Sequence, residues 1–386
     1  MQMHERHGPE NLAAVAPARQ RLTPLRWVRR YWARALRRAG AALVVLVTLV
    51  ATLTPMGCYI SRAAYEEARI LARRQPIDQL VNGTGTGVGV DAATRAKLGL
   101  VVAARQFAVD SLGLKAGESF TTFSQLDRDT LVLVLSAAYR DRLERKTWSF
   151  PVVGRFPYKG YFDFAEARRE AEKLRAEGFD VTLGASSAFS TLGWFNDPLV
   201  STTIGADSIT LANTIIHELV HNTFFAKGRV PFNESFASFV GGRGAEHFFR
   251  ARGDTSATRR AVEDWQNDLV LGAFWERLAG EIDSVFTLLP RDSTVARVAA
   301  RDTVYARARQ RLVDSVAPRL IGYPAGWGAR VTLNNAVLLS RRVYAERLDA
   351  FDSVYVANGR DLRKAVDAVI ARERAREREN DKAKKQ

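Results

Sequence analysis

Apolar positions from Tyr59 to about Leu80 fall at Ile60, Ala64, Ala68 and Leu71, with arginine and glutamate between them, which is the spacing of an amphipathic helix. Residues 92–112 predict another, with Leu98, Val101, Val102, Ala104 and Phe107 forming its stripe ahead of Gly113. Between 115 and 205 the texture changes. Short β-like runs at Leu131 to Leu135, Thr147 to Val153, Val181 to Leu183 and Ser190 to Phe195 are separated by glycine and aromatic turns. One helix, Phe164 to Glu177, interrupts them and should stop at Gly178. From Ile209 onward the pattern is almost wholly helical, with stops at Gly228, Gly253, Pro290, Pro318 and Pro324. The expected class is therefore α+β, with a β-containing N-terminal part ending near 205 and a mainly helical part after it.

Residues 39–57 carry no charge and follow Arg26, Arg29, Arg30, Arg34, Arg37 and Arg38. At about 1.5 Å per residue such a run just crosses a bilayer core. The arginine flank should stay cytoplasmic, placing everything from Tyr59 on the outer face, the periplasmic side in a Gram-negative-type envelope. The run can also be read as a signal peptide, because it ends in Gly57-Cys58 and a cysteine there is a site for lipidation. The expected organisation is a basic cytoplasmic tail (1–38), a membrane anchor or signal segment (39–57), a folded region (58–371, divided at 205/206) and a charged tail (372–386).

The net charge of +15 over 386 residues could suggest a nucleic-acid partner. Residues 1–38 hold nine Arg against two Glu, and 372–386 hold seven basic against four acidic residues, so the rest is 41 basic against 36 acidic. The excess is in the tails, and no basic stretch interleaved with aromatics marks a nucleic-acid groove. The single cysteine, Cys58, rules out an intrachain disulfide framework and a cysteine-rich zinc module. Of five histidines, His4 and His7 lie in the tail, leaving His217, His221 and His247. The glycine-rich stretch Gly83 to Gly89 has neither a preceding strand nor a Gly-Lys-Ser/Thr ending, so it reads as a flexible connection and no phosphate cradle.

Two of the three remaining histidines fall in His217-Glu218-Leu219-Val220-His221. Four residues on a helix span about 400°, so the two imidazoles lie one turn apart on one face and can bind one zinc ion. Glu218 projects beside that metal, where it can take a proton from water without ligating. Ile209, Ala212, Ile216, Leu219 and Phe224 supply the buried side of this helix. A catalytic zinc needs a third protein ligand and an open fourth position. The metzincin pattern fails, since Phe224 and Lys227 stand where its glycine and third histidine belong. Glu234 is the better candidate, because Gly228 and Pro231 can turn the chain into a second helix that returns it to the histidines. Glu246 competes, and His247 is a weaker rival. Glu246 lies about 120° round and about 18 Å along the second helix from Glu234, so the two cannot serve one metal. An oxyanion electrophile must then be a tyrosine, and Tyr344 is the candidate named, although the helical stripe it shares with Val337, Leu348, Phe351 and Tyr355 favours a core tyrosine. Tyr158, Tyr161 and Tyr323 are alternatives.

His217 to His221 followed by Phe232-Asn-Glu-Ser-Phe-Ala-Ser-Phe-Val240 resembles the bacterial predicted aminopeptidase family, membrane- or lipid-anchored zinc proteins of the gluzincin type. The likeness extends to Lys146–Pro151, Tyr158–Asp163, Ser190–Pro198 and Asn334–Ala336, and so runs from about Cys58 to Tyr355. It implies a zincin-like α+β peptidase with one Zn2+ per chain, His217, His221 and Glu234 as ligands and Glu218 as general base. In such folds an edge strand ahead of the metal helix aligns the peptide, and Ser190 to Phe195 is the candidate. Only 12 residues separate His221 from Glu234, fewer than in the well-known gluzincins, so the second helix must follow abruptly. There is no Gly-Ala-Met-Glu-Asn-like segment for gripping a free amino group. The expected partners are a peptide or protein substrate and the membrane, reached through 39–57 or a lipidated Cys58. A non-catalytic, zinc-containing envelope scaffold is the alternative.

Overall fold

The computed structural model describes residues 32, 34–43, 55–84, 89–150, 154–186 and 198–383. The chain divides into two units, Met1–Arg62 and Ala63–Gln386. Among the described residues no helix is long and apolar enough to cross a membrane. Residues 44–54 of the apolar run, 85–88 of the glycine-rich stretch and the expected strand Ser190 to Phe195 lie outside them. Cys58 is exposed on a helix, Pro55–Ala72.

That helix does not continue to Leu80 as the apolar spacing suggested. Pro76 has no N–H to give a helix and forces Gln75 toward extended backbone. Gln75–Pro76 is instead the short strand β1, and a separate helix, Ile77–Asn82, starts behind it. β1 pairs antiparallel with β2 (Thr122–Ser124), which pairs in parallel with β8 (Leu199–Val200).

A second sheet has β3 (Val132–Ala138) at its centre, antiparallel to both β6 (Lys159–Tyr161) and β7 (Asp180–Ser186). The helix Phe164–Ala176 covers it, started by the Asp163 carboxylate, which accepts from the amides of Ala165 and Glu166. Gly178, at φ +86°, turns the chain back into β7. Leu135, Ala137, Tyr161, Ala167, Ala171, Leu174 and Val181 form the core between sheet and helix. A hairpin of β4 (Trp148–Phe150) and β5 (Gly154–Phe156) precedes Tyr158. All the described strands lie before Ser201 and the chain beyond is helical, so the molecule is α+β.

Asn335, from the Asn-Asn-Ala motif, ties the sheet to the helical part. Its backbone N–H donates to Asp180 (2.8 Å), its amide donates to the carbonyls of Tyr139 (2.7 Å) and Arg142 (3.2 Å), and its oxygen accepts from the Tyr305 hydroxyl (2.7 Å). Asp180 also accepts from the buried Arg301 guanidinium at 2.5 Å. Each such buried group would cost about 1–3 kcal/mol if left unpaired, so this network fixes how the helix Asn335–Arg342 meets the sheet.

The central core is built on two antiparallel helices, Ser208–Thr223 and Val230–Ala251, here the histidine helix and the return helix. Asp207 caps the first by accepting from the amides of Ile209 and Thr210. Ile209, Ala212, Ile216, Leu219 and Phe224 are buried, together with Phe236, Phe239, Val240 and Phe248 of the return helix. The two helices approach closely because the return helix presents glycine. A methyl group on Gly244 would stand 2.8 Å from Ile216, and one on Gly241 would stand 3.1 Å from the Cβ of His217. The helix Thr255–Leu288 packs behind, with Trp265 against Gly242. Pro318 does not end the next helix, Thr294–Arg311, abruptly: a π turn, Leu312–Val316, and a 3₁₀ turn, Ala317–Arg319, absorb the missing donor.

Candidate functional site

The connection between the histidine and return helices is only six residues, and one side chain closes it. Asn233, buried, donates from its amide to the Ala226 carbonyl (2.9 Å) and accepts from the Ala226 N–H (2.8 Å). Gly228, at φ +74°, makes the left-handed turn, and Pro231 sits in the first turn of the return helix, where no N–H is needed. This accommodates the short spacing. Glu234, the next residue, then faces the histidines.

His217 Nε2 lies 3.4 Å from Glu234 Oε2, and His221 Nε2 lies 3.6 Å from Glu234 Oε1. The three ligand atoms all fall within 4.8 Å of one another. Two donors each at about 2.0–2.1 Å from one tetrahedral zinc ion stand about 3.4 Å apart, so these separations suit such an ion. The residues are partly buried, as a site open on one side requires. His221 Nδ1 is buried without a hydrogen-bond partner among the described residues, so Nε2 is the nitrogen engaged with the carboxylate.

In the metal-free chain the cluster is electrostatically coupled. Burial alone would raise the Glu234 carboxyl, but the hydrogen bonds and charge of His217 and His221 outweigh it and hold the group down at about 2. Burial alone would lower His221, but the hydrogen bond and charge of Glu234, with Glu218 adding, push it above its ordinary value. Glu218 itself is exposed, on the solvent side of the histidine helix. The exposed ring of Phe225 stands 6.1 Å from that of His221.

Glu246 and His247 are engaged elsewhere. Glu246 is 4% exposed and accepts from Arg243 at 2.8 Å and Arg250 at 2.5 Å. His247 Nε2 is 2.8 Å from the Tyr355 hydroxyl.

Tyr344 is no core residue. The stripe it shares with Val337 and Leu348 is broken, because the helix Asn335–Arg342 ends before it and a new one, Leu348–Ala357, starts after Arg347, at φ +54°. Tyr344 sits in the intervening turn with half its surface exposed. Desolvation, then the charges of Glu234 and Glu218, push its hydroxyl up to about 12, with Arg145 opposing. Tyr158, after the β4–β5 hairpin, is likewise raised by desolvation and then by Glu234. Both tyrosines therefore sit within electrostatic reach of the cluster and stay protonated at neutral pH. Tyr161 is buried in the sheet core, and Tyr323 packs its ring on Trp327. Arg145 was not singled out by sequence. Its guanidinium donates to the Leu339 carbonyl at 2.6 Å, and no sequence motif marks it as a neighbour of Tyr344.

Residues 58–384 match the model of a protein family described as "Putative aminopeptidase". The chain belongs to this family. The match takes in both helices of the histidine–glutamate cluster. No curated protein and no solved structure shows a significant match.

Proposed function

We propose that the chain is a zinc-dependent peptidase of zincin-like fold, with His217, His221 and Glu234 holding one Zn2+. The observation that carries this reading is the convergence of three ligand atoms, with each histidine nitrogen at a distance from Glu234 suited to a tetrahedral ion, while the charge of Glu218 reaches His221 from outside the cluster. A zinc ion bound there would supply Lewis-acid activation of water and of the scissile carbonyl. Glu218 accepts the proton of the attacking water and delivers it to the departing amine as the C–N bond breaks. Tyr344, protonated at neutral pH, donates a hydrogen bond to the developing oxyanion. The family description supports amino-terminal cleavage, while endopeptidase action uses the same residues. Anchoring at the outer face of the membrane, through 39–57 or a lipidated Cys58, is part of the same proposal and rests on the arginine-flanked apolar run.

The test measures zinc per chain and hydrolysis of an unbiased peptide mixture, with and without chelator, for wild type and Glu218→Gln. Glu218→Gln should keep its zinc and lose about 10²- to 10⁴-fold in rate. A zinc-loaded wild type that cleaves nothing would make the chain a zinc-containing scaffold, and a fully active Glu218→Gln would remove that residue from the chemistry.

A further inference from the structure

Ser235 immediately follows Glu234 and is fully buried. Its hydroxyl donates to the Val343 carbonyl at 3.2 Å and accepts from the Glu346 N–H at 2.8 Å. Those two backbone groups bracket Tyr344. The turn they belong to has few hydrogen bonds of its own: Tyr344 N–H reaches Arg341 at 3.1 Å, and Ala345 N–H reaches Arg342 at a long 3.4 Å. On its other side the turn leans on Gly272, where an added methyl would stand 3.1 Å from Leu348 and 3.8 Å from the Ala345 carbonyl. A small side chain at 235 would fill the same space without a hydroxyl. The double hydrogen bond is what joins the residue next to a metal ligand to the turn that presents the tyrosine.

We infer that Ser235 is a positioning residue that holds the Tyr344 turn on the return helix, so that Glu234 and the Tyr344 hydroxyl keep one fixed separation. The inference rests on the reading of Tyr344 as the oxyanion donor. Removing the hydroxyl leaves the Val343 carbonyl and the Glu346 N–H unpaired in a part-buried place, and the turn must shift to find water. A displacement of about 1 Å at a reacting group costs about 10²-fold in rate. Metal binding should be spared, because His217, His221 and Glu234 make no bond to this hydroxyl.

The experiment is a double-mutant cycle on the full chain: wild type, Ser235→Ala, Tyr344→Phe and both together, with Ser235→Thr as the hydroxyl-retaining control. Readouts are kcat and KM on a peptide that the wild type cleaves, zinc per chain, and amide hydrogen exchange over residues 343–347. Ser235→Ala should lose about 10- to 100-fold in kcat with KM and zinc unchanged. In the Tyr344→Phe background it should cost less than about twofold, because its target is already gone. Ser235→Thr should recover most of the rate. The Glu346 amide should exchange slowly in wild type and fast in Ser235→Ala, a readout that needs no substrate. Losses that multiply independently, loss of zinc from Ser235→Ala, or unchanged exchange at Glu346 would overturn the inference. Full activity in Tyr344→Phe alongside a slow Ser235→Ala would instead remove Tyr344 from its role.

Discussion

Gly241 is where the packing of the two helices can be tested against the proposed metal site. It lies on the return helix, two turns beyond Glu234, and faces the histidine helix. A Cβ added there would stand 2.9 Å from the backbone carbonyl of Asn213 and 3.1 Å from the Cβ of His217, with the Asn213 side chain nearer still. Carbon–carbon contacts settle at about 3.5–4.0 Å, so the helices must part by about 0.4 Å or more. Replacing a mid-helix glycine by alanine gains about 1 kcal/mol in helix propensity. Overpacking of this kind costs about 1–3 kcal/mol, so Gly241→Ala should end up neutral to about 2 kcal/mol less stable than wild type. Gly280 is the matched control: it too is inside a helix, but an added methyl meets nothing within 4 Å, so Gly280→Ala should be more stable than wild type. Denaturant unfolding of the two variants should therefore differ by about 1–3 kcal/mol. The metal should report the same shift. His217 rides on one helix and Glu234 on the other, and ligand distances tolerate only about 0.2 Å, so zinc affinity by chelator competition should fall about 10- to 100-fold in Gly241→Ala alone. Equal zinc affinity and equal stability in the two variants would refute the close approach at Gly241 as a support of the site.

Glu234→Gln should lower zinc occupancy, whereas Glu246→Gln should keep its zinc and lose stability through the buried ion pairs to Arg243 and Arg250 that it gives up, Arg243 keeping only Asp352; the reverse in metal analysis would move the third ligand to Glu246. Zinc affinity should rise with pH. His221 holds its proton more tightly than an ordinary histidine in the metal-free chain, so proton competition is strong below its raised pKa and disappears above it, while Glu234, ionised from about 2 upward, adds no slope in that range. Chelator competition from about pH 5 to about pH 8 checks this, and an affinity that falls with rising pH would exclude it. For topology, a reporter fused after Ile370 should be active only outside the cytoplasm, and a mature chain beginning at Cys58 would favour lipidation over a transmembrane anchor.

Much of this molecule is legible one turn at a time. The histidine pair, the buried side of its helix, the turn at Gly228 and Pro231 and the charge held in the tails all follow from spacing within a few residues, because a helix fixes which neighbours share a face. The break at Pro76 was equally local, and the apolar stripe hid it. Other decisions depend on partners far away in the chain. Glu234 and Glu246 are the same residue type on one helix, and it is the helix's rotation, with Arg243 and Arg250 pairing Glu246, that sends one to the histidines and the other to a buried ion network. Tyr344 continues a helical stripe in sequence yet stands in a turn, because Arg347 takes a left-handed conformation and Ser235, from another helix, supplies the bonds that hold the turn open. Asn335 meets Tyr139, Arg142, Asp180 and Tyr305 at once, a set that no periodicity contains. Local spacing determines which side chains share a face, but which distant group a buried polar atom pairs with depends on the packed arrangement of whole elements, and only the tertiary structure decides that.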